Sequence, residues 1–404
     1  MKIAIFQAGI SGFFPRYYKA IAAAIEKEGN EIALFAPNSG RNSRNKLPHQ
    51  ITWGTRLNWF VHHKFYQLTG IQDIFSICET IMLIHKLKKY RPDVIHFNVI
   101  NDKIINIPML VQFINRNEIP VVWTMHDCRA FTGQCPYFDE VKCNRWKTGC
   151  GQCPQCESWI DNTHATWKIR YKWHTHIKNL TIATPSQWLA NFVKESFFQN
   201  TPVQVIYNGV DTRGFSRKTN IDIQNIYHLQ DKKIVLGCAI NWESRKGMKY
   251  FERLAEMLPE NYQIVLIGNI QEDKKQRMIQ KGIICTGRTQ TFDEMVTWYQ
   301  TASVFCNPTL ADNFPTTNIE ALASGTPVVT FNTGGSPEAI DEHTGIVVEQ
   351  GDVEALRNAI IEIAEHRNLY SYDNCIQQAQ RFSNKQYNLY VQLYHEIANR
   401  KNSK

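Results

Sequence analysis

The chain has 404 residues, of which 43% are hydrophobic and 12% aromatic, which is enough apolar material for two buried cores and excludes a disordered chain. The net charge of +8 is unevenly distributed, with 24 Lys and Arg against 14 Asp and Glu up to Val205 and 21 against 23 beyond it. The basic first half would attract an anionic membrane surface or a phosphorylated acceptor, and the alternative is an ordinary basic domain with no such partner. Nucleic acid is a less suitable partner, because the sequence lacks Lys/Arg runs and RNA-binding aromatic motifs.

Short apolar runs alternate with helical stretches along the first half of the chain. The predicted strands lie at residues 2–7, 31–35, 93–98, 120–126, 181–184 and 203–206, and an amphipathic helix is predicted over residues 15–27. No opening run has the pattern of a signal peptide, and no stretch has the roughly 20 apolar residues of a membrane span. We therefore expect a cytoplasmic protein, with a peripheral position on the inner face of the cell membrane if its basic half binds anionic lipid.

The same pattern restarts after a polar stretch at residues 216–231. Further strands are predicted at residues 233–240, 263–268, 282–285, 303–306 and 327–331, and helices at residues 249–258, 292–300, 317–324 and 353–365. Strands separated by helices predict βαβ units and parallel sheets. We expect an α/β protein with two Rossmann-like, doubly wound domains: residues 1–206 joined by a C-terminal helix at 385–404, and residues 207–384. Ligands of such sheets bind at the carboxyl ends of the strands, so a central cleft between the two domains is the expected site.

The segment from Asn307 to Val329 carries most of the chemical information. An apolar strand leads through a polar loop into a helix that opens near Thr316 and Thr317, where free backbone N–H groups suit a diphosphate. Glu320, one turn into that helix, can accept both ribose hydroxyls, and Asp312 can accept hydroxyls of a transferred sugar. Taken alone, each acid is better explained as a solvated side chain near a capped helix.

Two further basic elements follow predicted strands of the second half. Arg245 and Lys246 precede Gly247, and such a fixed pair can stabilise the negative charge that develops on a departing nucleoside diphosphate. In isolation the pair would be read as an ordinary basic turn. Arg288, which follows Gly287, is a further candidate ligand of the nucleotide.

Together these segments resemble family 4 of the glycosyltransferases, also called group 1. Glu320 matches the second position of the family's acid-x7-acid signature, and Asp312 stands at the first, where a longer glutamate is usual. The segment Arg245–Lys246–Gly247 resembles the family's diphosphate-binding element. The resemblance implies a GT-B fold and retaining transfer of a hexose-type residue from a nucleotide diphosphate sugar to a glycan. We expect the acceptor to be lipid-linked and the product to be a cell-surface polysaccharide.

The resemblance extends into the first half of the chain. Gly9 and Gly12, after the first strand, match the loop that faces the sugar and the diphosphate, although their spacing is too short for a dinucleotide fingerprint. His126 and Asp127 match the family's Thr-x-His-Asp element and are expected in the catalytic site, whereas a lone histidine is more commonly a core residue. The resemblance further implies that the leaving phosphate assists deprotonation of the acceptor, so that catalysis needs no protein nucleophile, divalent metal or other cofactor.

Five of the eleven cysteines lie in one short segment: Cys135, Cys143, Cys150, Cys153 and Cys156. Thiolates at such spacing can form a tetrahedral zinc site, and in a cytosolic chain a cluster of this kind indicates metal before disulfide. The segment also resembles the colanic-acid and capsule branch of the family, in which the first four positions recur as a set. We expect those four to bind a structural zinc, with participation of Cys156 left open and reduced, unliganded thiols as the alternative.

Two other functions remain open from the sequence. One is a nucleotide-sugar epimerase of the same two-domain shape, and the other is a non-catalytic sugar-binding or scaffold protein, which the replacement of Glu by Asp312 favours.

The basic half also contains an aromatic and basic stretch at residues 53–66. It can lie against a membrane interface or form an aromatic core helix.

Overall fold

The computed structural model describes residues 1–100 and 105–402, and the chain divides into two compact units. Unit 1 consists of Met1–Tyr207 with Tyr387–Lys404, and unit 2 consists of Asn208–Gln386. The C-terminal helix therefore belongs to the first unit, although it follows the second in sequence.

Unit 1 is built on a seven-stranded parallel sheet. Its strands are β1 (Lys2–Gln7), β2 (Glu31–Pro37), β3 (Gln50–Trp53), β4 (Val94–Val99), β5 (Val121–Thr124), β6 (Leu180–Thr184) and β7 (Val203–Val205). They are ordered β3-β2-β1-β4-β5-β6-β7, with Ile3 opposite both Ile32 and Val94. The order reverses beside β1, and the carboxyl ends of strands next to such a reversal are where ligands of doubly wound sheets bind.

Unit 2 is built on a six-stranded parallel sheet. Its strands are β8 (Lys233–Asn241), β9 (Tyr262–Asn269), β10 (Ile284–Gly287), β11 (Val304–Asn307), β12 (Val328–Phe331) and β13 (Gly345–Val348). They are ordered β10-β9-β8-β11-β12-β13, so the reversal lies between β8 and β11. The loops after these two central strands, together with the helix Thr316–Ala323 that follows the second loop, carry six of the nine residues predicted to bind the donor.

Helices cover both faces of each sheet, as parallel sheets require. In chain order they are α1 (Phe14–Lys27), α2 (Gly40–Arg44), α3 (Arg56–Thr69), α4 (Ile77–Tyr90), α5 (Ile107–Arg116), α6 (Thr163–His174), α7 (Gln187–Glu195), α8 (Thr212–Phe215), α9 (Ile223–Ile226), α10 (Met248–Met257), α11 (Glu272–Gln280), α12 (Phe292–Thr301), α13 (Thr316–Ala323), α14 (Val353–Glu365), α15 (Tyr372–Gln380) and α16 (Asn388–Asn402). Short 3₁₀ helices occupy Cys128–Ala130, Asp139–Val141, Arg145–Lys147, Ser244–Lys246, Ser336–Ala339 and Asn384–Tyr387. Among the described residues, none of these helices combines the length and apolar content needed to cross a membrane.

The strand β1 shows why the sheet of unit 1 is buried on both faces. Ala4 and Phe6 point into one apolar cluster, and Ile3 and Ile5 point into another, because successive side chains of a strand alternate between the faces. The second cluster includes side chains of α1 and α16. The C-terminal helix therefore completes the core of unit 1.

The structure contains two strands that the sequence pattern did not predict, β3 and β13. β3 is an edge strand whose residues are mostly half-buried, and β13 is an edge strand that begins at Gly345. β3 alternates polar and apolar residues and lacks the continuous apolar run that identified the central strands, whereas β13 contains the run Ile346–Val348 and was missed all the same.

Candidate functional site

Three charged side chains meet at the carboxyl edge of the sheet of unit 2. Arg245 and Lys246 lie on the 3₁₀ turn after β8, and Asp312 lies on the loop after β11. The Lys246 Nζ lies 2.5 Å from Asp312 Oδ2, and Arg245 Nη1 lies 3.7 Å from the same oxygen. All three side chains are partly exposed, so a ligand can reach the cations that the carboxylate holds together.

Two glycines allow the loops around these side chains to touch. Gly247 has φ 76°, and a Cβ at this position would lie 1.9 Å from the carbonyl oxygen of Pro308. Gly334, in the loop after β12, has φ 58°, and its Cβ would lie 1.7 Å from the carbonyl oxygen of Asp312. No other residue fits either place without movement of the backbone. The loops after β8, β11 and β12 are therefore held against one another.

Glu320 is a buried carboxylate with a defined partner. Thr316 and Thr317 are the first two residues of α13, and Glu320, one turn later, is only 6% exposed. The Tyr299 hydroxyl donates to Glu320 Oε2 at 3.1 Å. Burial raises the pKa of Tyr299 well above its ordinary value, and the nearby Cys238 and Glu320 act in the same direction. The burial and the bond from Tyr299 exclude the interpretation of Glu320 as a solvated acid.

Two buried amides fix the start of α13 and were missed in the sequence. Asn307 Nδ2, at the end of β11, donates to Asn318 Oδ1 at 2.7 Å. Asn318 Nδ2 in turn donates to the carbonyl oxygen of Ser336 at 3.2 Å. Both side chains are buried, and buried amides are placed by their hydrogen bonds. The available signal was a polar Asn307 at the end of an otherwise apolar strand.

Arg288 follows a different strand from the other predicted donor residues of unit 2. It is exposed after β10, which is the edge strand and is separated from β8 by β9. Its backbone carbonyl oxygen accepts from Gln290 Nε2 at 3.3 Å. Its role in nucleotide binding stays a prediction.

A chain of hydrogen bonds links the carboxyl ends of three strands in unit 1. Gln7 Nε2 donates to the carbonyl oxygen of Gly9, and Asn98 Nδ2 donates to Gln7 Oε1, both at 2.6 Å. Because the amide of Asn98 donates through Nδ2, its Oδ1 accepts from Nε2 of His126, also at 2.6 Å. Burial lowers the pKa of His126 to about 4, against the opposing effect of Asp127. The imidazole is therefore neutral at pH 7, with Nδ1 as its acceptor atom.

The other predicted residues of unit 1 have different surroundings. Asp127 caps the 3₁₀ turn that follows β5, because its carboxylate accepts from Arg129 N at 2.8 Å and from Arg129 Nη1 at 2.9 Å. Gly12 has φ 63°, which favours glycine. Gly9 has no positive φ, and a Cβ there would meet no atom within 4 Å. Neither catalysis by Asp127 nor ligand contact by the two glycines is tested, and these roles stay predictions.

The four cysteines predicted to bind zinc line one cavity of about 20 Å³, which is large enough for one water-sized occupant. Burial raises the pKa of Cys135 to about 12, and the neighbouring thiols of Cys150, Cys153 and Cys143 add to this effect. Cys156 is not among the lining residues, and its Sγ lies 3.4 Å from the carbonyl oxygen of Ser158. Among the described residues, no three His, Cys, Asp or Glu side chains are arranged to hold a metal ion. The zinc stays a prediction.

Two family models match the chain. The model described as Glycosyltransferase Family 4 matches residues 15–213, and the model described as Glycosyl transferases group 1 matches residues 231–366. Among curated relatives, the WcaC protein of Escherichia coli (strain K12), assigned to colanic acid biosynthesis as a glycosyl transferase, is 22% identical over 275 residues. That match covers 65% of this chain and 65% of WcaC. The chain spans between about half and two-thirds of the length of the first curated relatives it matches.

Solved structures establish the fold. Sucrose-phosphate synthase from Thermosynechococcus elongatus has a TM-score of 0.71 at 17% identity, over 98% of this chain and 99% of that one. HepE of Anabaena in complex with UDP has a TM-score of 0.67 at 13% identity, with coverage of 98% and 99%. The predicted α/β fold of the GT-B class is thus confirmed. The two family models together match more than four-fifths of the residues, and the chain belongs to family 4, group 1, of the glycosyltransferases.

Proposed function

We propose that this protein is a retaining hexosyltransferase that uses a nucleotide diphosphate sugar. Its acceptor is a lipid-linked glycan, and its product is part of a capsule or a related cell-surface polysaccharide. The observation that carries this proposal is the grouping of Arg245, Lys246 and Asp312 at one sheet edge that also carries α13 with the buried Glu320. Cations, an accessible helix start and an oriented carboxylate are the groups that a nucleoside diphosphate requires.

The ion pair between Lys246 and Asp312 suggests how the donor is accepted. A diphosphate carries more negative charge than one carboxylate, so it attracts Lys246 and Arg245 away from Asp312. The freed Asp312 carboxylate then accepts hydroxyls of the sugar, while Glu320 accepts the two hydroxyls of the ribose. Backbone N–H groups at Thr316 and Thr317 bind phosphate oxygens at the positive end of α13.

The transfer step follows from the same charges. The bond between the anomeric carbon and the leaving phosphate oxygen breaks, and the acceptor hydroxyl oxygen forms the new bond on the same face of the sugar. The proton of that hydroxyl passes to the leaving diphosphate. Arg245 and Lys246 stabilise the charge that develops on the diphosphate. Neutral His126 accepts a hydrogen bond at Nδ1 from a sugar hydroxyl, and no step needs a cofactor.

The names of relatives support both the proposed donor and the proposed acceptor. WcaC is assigned to colanic acid biosynthesis, and LpsB of Rhizobium meliloti is named as a mannosyltransferase of lipopolysaccharide core biosynthesis. HepE, which shares the fold, is described in complexes with UDP and with UDP-glucose. These names favour a nucleotide sugar as the donor and a cell-surface glycan as the acceptor.

Binding of the donor is the first test. A screen of UDP-, GDP- and ADP-sugars by thermal shift identifies the donor, because a ligand that binds the native state raises the melting temperature. Lys246→Met and Glu320→Gln should each weaken binding of that donor by about ten- to hundredfold, the usual loss for a hydrogen bond to a charged group. Glu342→Gln, which changes an exposed glutamate of the same unit, is the matched control and should bind normally.

Product analysis tests the reaction itself. With donor and a lipid-linked glycan fraction, the new linkage should keep the anomeric configuration of the donor, as read by NMR. Free epimerised nucleotide sugar formed without acceptor would instead identify an epimerase. A protein that binds the donor, but whose Glu320→Gln variant supports glycan assembly in cells as well as the unmodified protein, would be a scaffold.

A further inference from the structure

The helix α3 presents an apolar stripe to the outside of unit 1. Its five large apolar side chains that are 46–70% exposed are Leu57, Phe60, Val61, Phe65 and Leu68. Positions three and four apart share one face of a helix. A surface helix ordinarily turns such a stripe towards the core. In α3 the only buried residue is Tyr66. The alternative that residues 53–66 form an aromatic core helix is therefore wrong, because the five side chains of the stripe face outward.

Polar contacts on the inner side fix this orientation. The carboxylate of Glu79 on α4 accepts a hydrogen bond from the Asn58 side chain, and His62 Nε2 lies 3.2 Å from Glu79 Oε2. One turn later the Tyr66 hydroxyl donates to Gln134 Oε1 at 2.8 Å. Turning the stripe inward would break these bonds and leave Glu79, which is buried, without them. The outward stripe is therefore built into the fold of unit 1.

A neighbouring loop enlarges the apolar surface. Trp159 is 80% exposed and Ile160 is 54% exposed, and the backbone N–H of Trp159 donates to the backbone carbonyl oxygen of Gln67 on α3 at 3.0 Å. At the start of α4, next to the anchoring Glu79, Ile77 and Ile81 are also exposed. Exposed apolar residues that are scattered singly need no explanation, whereas a group of this kind marks an interaction surface. We call the stripe of α3 with Trp159 and Ile160 the apolar face.

The exposed charges on α3 are positive, and the two acids beside Trp159 already have partners. The other exposed positions of α3 are Arg56, at the edge of the stripe, and Lys64, which lies within it and has its Nζ 5.8 Å from the centre of the Phe60 ring, and α3 contains no acidic residue. Of the two acids flanking Trp159, Glu157 lies 3.9 Å from Arg129, and the carboxylate of Asp161 accepts from backbone and side-chain donors of its own loop. A partner that covers this surface must be apolar where it meets the stripe and negative where it meets the cations.

We propose that the apolar face docks onto the surface of an anionic phospholipid bilayer, with α3 in the plane of the interface. The stripe enters the boundary between headgroups and acyl chains. Arg56 lies among the lipid phosphates, and the ammonium of Lys64 reaches them from within the stripe because its stem is long and flexible. A second copy of the chain is the other possible occupant, and the experiment below distinguishes it from the bilayer. The docking is independent of the proposed sugar transfer and would bring the protein to the surface where a lipid-linked acceptor lies.

Vesicle binding by the full chain tests the proposal. Phosphatidylcholine vesicles that contain phosphatidylglycerol should bind the protein at low salt and bind it more weakly at high salt, whereas pure phosphatidylcholine vesicles should bind it poorly. The double variant Phe60→Ser/Phe65→Ser should bind the anionic vesicles about tenfold or more weakly than the unmodified protein. The matched control, Ile226→Ser/Leu369→Ser, removes two exposed apolar residues of unit 2 and should bind as the unmodified protein does.

Further measurements distinguish loss of docking from loss of folding or of the donor site. All four changed positions are exposed, so the melting temperature and the donor-induced thermal shift should stay unchanged in both variants. Arg56→Gln/Lys64→Gln should remove most of the salt-sensitive part of the binding. No binding to anionic vesicles, or an equal loss in the control variant, would overturn the proposal. A dimer that dissociates in the Phe60→Ser/Phe65→Ser variant, without vesicle binding by the unmodified protein, would overturn it in favour of a second copy.

Discussion

At the scale of single residues, Gly247 and Gly282 offer a matched pair. Both have φ 76°, but a Cβ at position 247 would lie 1.9 Å from Pro308 O, whereas a Cβ at position 282 would meet nothing within 4 Å. Gly282→Ala should lower the free energy of unfolding by about 1–2 kcal/mol, the usual strain of an alanine in the left-handed conformation. Gly247→Ala adds a backbone clash and should cost about 3 kcal/mol or more in urea unfolding, with weaker donor binding. Equal losses in the two variants would contradict the close approach of the loops.

Tyr299 illustrates how a residue without ligand contact can affect donor binding. Its hydroxyl donates to Glu320, and we expect Tyr299→Phe to weaken donor affinity about three- to thirtyfold through a less well oriented carboxylate. Tyr262→Phe is the control, because Tyr262 donates to Glu365 at 2.8 Å in the same unit but belongs to no predicted site. Calorimetric titration with the donor nucleotide measures both variants. Unchanged affinity in Tyr299→Phe would show that Glu320 is positioned by other contacts.

The sequence identifies residues whose chemistry is local and misses those whose role depends on distant neighbours. Arg245, Lys246 and Glu320 stand in short motifs, so they could be found without a structure. Asn98 could not, because its partner Gln7 lies 91 positions away in the chain. Tyr299 lies inside an ordinary helical pattern, and only the packing of α12 near α13 brings its hydroxyl to the carboxylate.

At the scale of elements, predictions succeed where burial is complete. The strand at Lys2–Gln7 and the helix at Val353–Glu365 have the predicted bounds, since the first is a continuous apolar run and the second combines a helical apolar repeat with a cap by Asp352. Partial burial alone does not prevent a prediction, since the partly buried edge strands β7 and β10 were predicted from their apolar residues, whereas β3, with polar residues at alternate positions, was missed. The outward face of α3 could not be derived from periodicity, which gives the spacing of a stripe but not the direction in which it points.

The segment that carries the cysteines, residues 128–162, gives a prediction for one structural element. The cysteine spacing predicts about one zinc per molecule in the purified full chain, although among the described residues no three of the four thiols that line the cavity are arranged to hold a metal ion. Cys143→Ser should lose that zinc and lower the melting temperature, because metal binding stabilises the folded loop. Cys156→Ser is the control and should retain zinc, since Cys156 contacts Ser158 instead. Elemental analysis decides: protein without zinc, or equal loss in both variants, would contradict the prediction.

At the scale of the whole molecule, three buried histidines connect the stability of unit 1 to pH. Burial lowers the pKa of His96 to about 3, with a further contribution from His126, and burial lowers the pKa values of His126 and His174 to about 4. In the unfolded chain a histidine titrates near 6.5. Between pH 6.5 and 4 the unfolded state therefore binds more protons than the native state. Stability is fully present above pH 6.5 and is lost as the pH falls.

The expected loss of stability at acidic pH can be followed by tryptophan fluorescence, because eight of the ten tryptophans lie in unit 1. Each histidine should remove on the order of 2 kcal/mol by pH 5, so the melting temperature should be constant from pH 8 to 7 and fall clearly by pH 5. His174→Phe keeps an aromatic ring beside Trp123 but removes one titrating group and the bond to the Ala130 carbonyl. This variant should therefore have a lower melting temperature than the unmodified protein at pH 7, and its melting temperature should fall less on acidification. A melting temperature that does not change between pH 7 and 5 would mean that these imidazoles are not held neutral by the fold.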